Sequence, residues 1–190
     1  NKNIAMGCIA MGDCTVTGSG NVALGTQAGL RITSGNKNVF IGDNTAGAAE
    51  ITGGYNVAFG AGAARCLTSG QWNFMGGYNA GRCITTGGYN ILLGAKTGCA
   101  STSANGAIFI GRSAGGANIG GEYSIIIGES AGQTGTAICS NIIIGREAGH
   151  AGSMTGKYNT ILGGQAGCNV TSGQYNTLLG HCAGTNLTSG

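Results

Sequence analysis

The chain has 190 residues, of which 41 are Gly, none is Pro and 8% are charged, and its net charge is +3. The basic residues are spread singly, which argues against a groove for nucleic acid. Collagen is excluded because Pro is absent and Gly does not occupy every third position. Disorder is disfavoured because 42% of the residues are apolar and recur in fixed columns. No apolar run approaches the ~18 residues that span a bilayer, so we expect no membrane insertion.

One motif, an Asn followed by three apolar residues and a Gly, recurs every 17 or 18 residues along the whole chain. A fixed period of this length is typical of a solenoid. The copies begin at Asn3, Asn21, Asn38, Asn56, Asn73, Asn90, Ala107, Ser124, Asn141, Asn159 and Asn176. The full consensus is N-Φ-Φ-Φ-G-x-x-A-G-x-x-Φ-T-S-G-x-Y, where Φ is apolar. We therefore expect residues 1–190 to be a single repeat region, and an excerpt of a longer fibrous chain.

Each apolar triplet predicts a short β-strand. The triplets are rich in β-branched residues, as in Ile142-Ile143-Ile144, and each is closed by a turn. The turn Gly is present in all eleven copies: Gly7, Gly25, Gly42, Gly60, Gly77, Gly94, Gly111, Gly128, Gly145, Gly163 and Gly180. Strands of about four residues, stacked at ~4.8 Å, would give a continuous core. The predicted fold is all-β, a parallel β-solenoid or β-roll of about eleven coils.

Parallel stacking in register places equivalent residues above one another. The anchor Asn side chains are therefore expected to form a ladder in which amide hydrogen bonds run from coil to coil. The members of this predicted Asn ladder are Asn3, Asn21, Asn38, Asn56, Asn73, Asn90, Asn141, Asn159 and Asn176.

The middle residue of each triplet is also apolar, as at Phe40, Phe109 and Ile126. In a strand the first and third residues face one side and the middle residue faces the other. We interpret the first and third residues as the stacked core, and the apolar middle column as a second buried face. Either the far side of the same coil or another chain could cover that column. Because several of the residues in each coil are Gly at corners, we favour another chain, in an intertwined or side-by-side homotrimeric rod.

The eight Cys do not show a metal-binding spacing. Cys66 and Cys83 share a column in adjacent coils and Cys99 lies one position earlier in the next, within reach of a disulfide. No C-x-x-C pair occurs, however, so zinc binding is disfavoured. We favour small buried thiols over disulfides between coils.

Residues with catalytic potential are scattered. His150 and His181 occupy different columns, and the acidic residues are mostly solitary, so neither a carboxylate pair nor a calcium repeat is visible. The sequence predicts no catalytic residue, no metal ligand and no cofactor, and we expect a protein that is not an enzyme.

One column of aromatic residues stands directly before the anchor. We call it the aromatic stripe, and its members are Tyr55, Trp72, Tyr89, Tyr123, Tyr158 and Tyr175. Packing against a neighbouring chain or over the Asn ladder is one interpretation. The other is that the rings bind host polysaccharide or another surface polymer by stacking.

The repeats resemble those of a known group of fibrous proteins. The segments GYNVAFG at 54–60, NIIIGREAG at 141–149 and GQYNTLLG at 173–180 are similar to the Gly-rich repeats of tail-fibre-like structural proteins of bacteriophages, cyanophages in particular. The N-Φ-A-Φ-G core also resembles the head repeats of trimeric autotransporter adhesins, which are trimers of left-handed parallel β-rolls. The repeat here is longer than the adhesin repeat, which favours a virion fibre.

This resemblance implies a structural role at the virion surface. The chain would form the shaft of a tail or side fibre, with itself and other virion or fibre proteins as partners and a host polysaccharide or protein as a further contact. The alternative is a bacterial surface adhesin, or a self-assembling filament, at the cell surface. A remote alternative is an ice-binding solenoid, since one column contains Thr33, Thr68, Thr85, Thr102, Thr171 and Thr188.

Overall fold

The computed structural model describes residues 2–150 and 152–189, and the regular elements of that part are all β-strands. Each apolar triplet forms one strand of three residues, one shorter than expected. The following Gly ends the strand by taking a φ that other residues avoid, for example +130° at Gly25. The strands are β1 Ile4–Met6, β2 Val22–Leu24, β3 Val39–Ile41, β4 Val57–Phe59, β5 Phe74–Gly76, β6 Ile91–Leu93, β7 Ile108–Ile110, β8 Ile125–Ile127, β9 Ile142–Ile144, β10 Thr160–Leu162 and β11 Thr177–Leu179.

The strands form a single parallel sheet of eleven strands in chain order. Equivalent residues are paired in register, so that Ile126 lies opposite Ile143 and Ile143 opposite Ile161. Each strand is reached from the previous one by a single coil of 17 or 18 residues. The predicted all-β parallel solenoid is confirmed, and eleven strands at a spacing of ~4.8 Å make a rod about 50 Å long.

The turns between strands are also hydrogen-bonded from coil to coil. Gln27 N–H donates back to the carbonyl of Cys8 at 2.9 Å, and Gly29 N–H donates forward to the carbonyl of Thr45 at 2.9 Å. Both residues have left-handed backbone conformations, with φ of 55° and 54°, which turn successive peptide groups in opposite directions along the rod. The coil is therefore bonded to both neighbours in its turns as well as in its strands.

The core lies inside the coil and is built from three columns. The middle strand residue, the Ala of the Ala-Gly pair and the apolar residue before Thr-Ser-Gly all point inward. In the fifth and sixth coils these columns are represented by Leu92, Ala80 and Ile84, which are fully buried. The small Ala column leaves room for large side chains from the two opposing walls, so that the narrow interior is closely packed.

The assignment of the two strand faces from the sequence was wrong. The middle residues of β2 to β10 are fully buried by their own chain, whereas the first and third residues of these strands lie on the outside, half-buried or exposed apart from Gly76. The far side of the same coil covers the middle column, because the Ala column and the apolar column before Thr-Ser-Gly face it. A second chain is therefore not needed to bury that column.

Candidate functional site

The chemically reactive side chains are dispersed over the rod. Within residues 2–150 and 152–189, no group of three or more His, Cys, Asp or Glu side chains could hold a metal ion. The acidic residues that pair do so with single arginines, as in the contact of 3.5 Å between Arg31 and Asp13.

The eight thiols are free, and none is fully buried. Six are half-buried at the turns, and Cys8 and Cys182 are exposed, so the expectation of buried thiols was too strong. Burial raises the pKa of the Cys99 thiol, and the nearby Cys83 raises it further. A raised pKa lowers the thiolate fraction, so Cys99 is a poor nucleophile at neutral pH.

The invariant Gly column lies where the strand turns and successive coils approach closely. A Cβ on Gly25 would lie 2.5 Å from the carbonyl oxygen of Gly42, and one on Gly42 would lie within 3.0 Å of the Gly60 backbone. The same residues have φ near +130°. Both the close approach and the backbone conformation require Gly, so this column has a structural role.

The Asn anchors form hydrogen bonds both to one another and across the coil. Asn73 Nδ2 donates to Asn56 Oδ1 at 2.9 Å and to the carbonyl of Gly87 at 2.8 Å. Asn73 Oδ1 accepts from the backbone N–H of Asn90 at 3.2 Å and from its Nδ2 at 2.8 Å. The side chain is thus saturated in a site that is 2% exposed, and it ties the sheet to the opposite wall of the coil.

The Asn ladder is interrupted at the seventh and eighth coils. Ala107 and Ser124 occupy the anchor position there. Asn118, in the opposite wall, is fully buried nearby and bonds to the backbone of Ile138, with its Oδ1 accepting at 3.2 Å and its Nδ2 donating at 3.3 Å. In the eighth coil the link across the coil is kept by the hydroxyl of Ser124, which donates to the carbonyl of Ile138 at 3.1 Å. The Asn118 bonds join neighbouring coils within the opposite wall.

The first and third strand residues form an apolar surface that runs the whole length of the rod. We call it the outward face. Its exposed members include Ile41, Phe59 and Ile91, which are 42%, 41% and 38% exposed. Its positions are Ile4, Met6, Val22, Leu24, Val39, Ile41, Val57, Phe59, Phe74, Gly76, Ile91, Leu93, Ile108, Ile110, Ile125, Ile127, Ile142, Ile144, Thr160, Leu162, Thr177 and Leu179. A contiguous exposed apolar surface of this kind is typical of an interaction site.

On the outward face, a large side chain fills the space beside a residue that has none. Gly76 has no side chain, and the Phe59 ring of the adjacent strand fills its place, 2.2 Å from where a Cβ would stand. The Phe59 ring also makes an edge contact with Phe74 at 5.7 Å between ring centres. Because the ring lies over the Gly, the apolar surface has neither a protruding ring nor a gap at this position.

The aromatic stripe lies along the edge of the sheet where the strands begin. Its six rings are between 40% and 75% exposed. Tyr55 and Trp72 stack at 4.0 Å with planes 6° apart, and Trp72 and Tyr89 at 6.4 Å with the same angle. Tyr158 and Tyr175 stack at 5.2 Å. These rings cover one another's faces and so pack along the rod, whereas their edges remain open to solvent.

Every residue of the aromatic stripe has a left-handed backbone conformation, with φ from 52° at Tyr123 to 62° at Tyr158. Gly20 and Gly106 occupy the same column with similar φ values and meet this requirement without strain. A left-handed conformation costs a residue with a Cβ roughly 1 kcal/mol. Ring stacking contributes about 0.5–1.5 kcal/mol and offsets that cost.

The Thr column considered for ice binding makes internal hydrogen bonds. The hydroxyl of Thr68 donates to the carbonyl of Thr85 at 3.0 Å, and that of Thr85 donates to the carbonyl of Thr102 at 3.1 Å. The hydroxyl protons are therefore used between coils, which favours a structural role for this column.

Comparison of the chain with family models, with curated proteins and with solved structures finds no match. In the described part of the chain there is no helix long and apolar enough to cross a membrane.

Proposed function

We propose that the chain is a structural segment of a virion fibre, in which copies of the rod associate through their outward faces. The observation that carries this proposal is the continuous apolar outward face of a single-sheet rod. The proposed state is the homotrimer suggested by the sequence. Its contact surface, however, is formed by the first and third strand residues rather than by the middle column.

The size and chemistry of the outward face support self-association. Two outward positions on each of eleven strands give 22 positions, within the range of about 20–30 residues that each partner contributes to a stable interface. None of these positions is charged. A second copy presents the same apolar columns with the same repeat along the rod, so neighbouring coils can interlock over the full length.

A shaft of this construction suits a fibre. Its stability comes from apolar columns and ladders of hydrogen bonds repeated in every coil, and each coil depends mainly on its neighbours. Salt therefore has little effect on it. Such a rod would hold a receptor-binding element away from a particle, or contact the host envelope through its repeated surfaces.

Light scattering on the native rod tests the self-association. We expect three times the mass of one chain for the unmodified protein. Replacing Ile110 and Ile127, which pair on adjacent strands, with Lys should yield monomers with an unchanged β-sheet circular dichroism spectrum. Ser69→Lys with Thr86→Lys, at exposed positions outside the face, is the matched control and should remain trimeric. A monomeric unmodified protein, or a double Ile→Lys variant that stays trimeric, would contradict the proposal.

Gold-labelled antibodies against the rod test its location. On intact particles they should decorate fibres in electron micrographs. Label on the surface of a bacterial cell, with none on particles, would favour the adhesin alternative and overturn the assignment to a virion.

A further inference from the structure

A groove of about 320 Å³ lies on the turn that follows the strands, at the edge opposite the aromatic stripe. At its centre is the pair Ala61-Gly62. The preceding coil has Asp43-Asn44 at the same positions, and the next coil has Tyr78-Asn79. Two small residues between two larger pairs leave an opening one coil wide, which we call the notch.

Two arginines line the notch. Arg65 and Arg82 occupy the same column in adjacent coils, so their backbones are about 4.8 Å apart. The other three arginines each pair with a carboxylate: Arg31 with Asp13, Arg112 with Glu129 and Arg146 with Glu147. Within residues 2–150 and 152–189, Arg65 and Arg82 form no ion pair, although Asp43 lines the same groove. The notch thus carries net positive charge that no contact neutralises.

The remaining lining groups suit a hydroxylated ring. Tyr78 is 57% exposed and is the one Tyr that does not belong to the aromatic stripe. The side-chain amides of Asn44 and Asn79 make no hydrogen bond to other described residues, so their donors and acceptors are open to a ligand. An aromatic ring, two amides and two guanidinium groups are therefore combined in one small opening.

We propose that the notch binds an acidic saccharide, a sugar ring that bears a carboxylate or sulfate group. The two guanidinium groups hold the anion through charge-assisted hydrogen bonds. Tyr78 packs against the apolar face of the sugar ring. The amides of Asn44 and Asn79 bond its hydroxyl groups, and Asp43 accepts from one of them. An acidic peptide would satisfy the arginines but leave the tyrosine and amide positions unused.

This inference deepens the proposed function, on which it rests, by naming the class of surface polymer that the rod contacts. The test is isothermal titration of the intact rod with three probes: a glucuronic acid hexamer, a sulfated glucose hexamer and a neutral glucose hexamer. We expect binding of one or both acidic probes, and at least about tenfold weaker binding of the neutral one. The two acidic probes show which anion is preferred.

Arg65→Gln with Arg82→Gln should weaken binding of the acidic probe by about tenfold or more. The matched control, Arg112→Gln with Arg146→Gln, removes the same charge from arginines that are already paired and should bind as tightly as the unmodified rod. Ala61→Gln, at an exposed position in the centre of the notch, should block binding while both arginines remain. This last variant keeps the test valid if the double arginine variant folds poorly.

Equal loss in the two double variants, equal binding of the neutral probe, or equally tight binding of a polyglutamate peptide would overturn the inference. These measurements use the isolated rod, so they are separate from the test of location. If the notch binds acidic saccharide but antibodies do not find the chain on particles, only the fibre proposal is refuted. A chain found in fibres whose notch variants bind normally would refute only the notch.

Discussion

The two faces of the sheet are both largely apolar in sequence, but they differ in burial. In β6, the middle residue Leu92 is fully buried inside the coil, whereas its neighbour Ile91 is 38% exposed on the outward face. The inward column is covered by the far wall of the same coil, whereas no second layer of residues 2–150 and 152–189 covers the outward columns, which are mostly half-buried or exposed. Hydrophobicity alone therefore does not distinguish a residue that holds the coil together from one that is available to a partner.

The largest difference between the faces should appear in stability. Leu92→Ala leaves a cavity in a closely packed interior and should lower the free energy of unfolding by about 3 kcal/mol. Ile91→Ala should lower it by less than about 1 kcal/mol, because the side chain is already partly in water. Urea unfolding measures both, in the background of Ile110→Lys and Ile127→Lys so that association does not contribute. Equal losses at the two positions would refute the assignment of faces.

Buried and exposed Asn side chains should differ in the same way as the buried and exposed apolar residues. Asn73→Ala removes a buried side chain whose hydrogen-bonding groups are all used. The amides of Asn56 and Asn90 and the carbonyl of Gly87 each lose a partner, so the free energy of unfolding should fall by about 2 kcal/mol. Asn36→Ala is the control. That side chain also makes two hydrogen bonds, to Ser34 and Ser19, but both bonds are exposed.

Because water replaces those two bonds, Asn36→Ala should lower the free energy of unfolding by less than about 1 kcal/mol. Thermal unfolding of both variants measures the difference. If the two substitutions were equally costly, the link across the coil would not be the source of the ladder's stability.

Substitutions in the aromatic stripe should have the smallest effect on stability. Here the Gly variant should be more stable than the Ala variant. Trp72→Ala loses the stacking on Tyr55 and Tyr89 but keeps a Cβ at a φ of 60°, and should cost about 1 kcal/mol. Trp72→Gly loses the same stacking but relieves the backbone, so it should be the more stable variant by a few tenths of a kcal/mol to about 1 kcal/mol. Differential scanning calorimetry resolves this order, and a Gly variant less stable than the Ala variant would show that the backbone at this column is not strained.

Much of the fold could be predicted from local pattern. The period places the eleven strands, the invariant Gly marks the end of each strand, and the repeated Asn implies stacking in register. The burial of individual columns was harder to predict, because strand alternation shows that Leu92 and Ile91 face opposite sides without showing which side is inside. The notch could not be predicted at all, since Ala61, Gly62 and Arg65 follow no motif and gain significance only from their neighbours in adjacent coils.

A signal for the correct assignment of faces was nevertheless present in the sequence. The anchor Asn lies two residues before the middle apolar residue and therefore shares its side of the strand. A buried Asn needs hydrogen-bond partners, and Asn21 finds one at the carbonyl of Gly35 on the opposite wall of the coil, at 2.8 Å. The ladder and the middle column thus belong to the same interior.

The sequence by itself determined the repeat, the strand positions and the parallel order of the sheet, because period, β-branched triplets and Gly turns act over a few residues. Only the tertiary structure decided how far each apolar column is buried, which arginines are unpaired and where the surface opens. These properties depend on the far wall of each coil and on the side chains of the coils above and below. The residues that meet there lie on different walls or in different coils, as Asn21 and Gly35 do, and are therefore beyond the reach of a pattern that acts over a few residues.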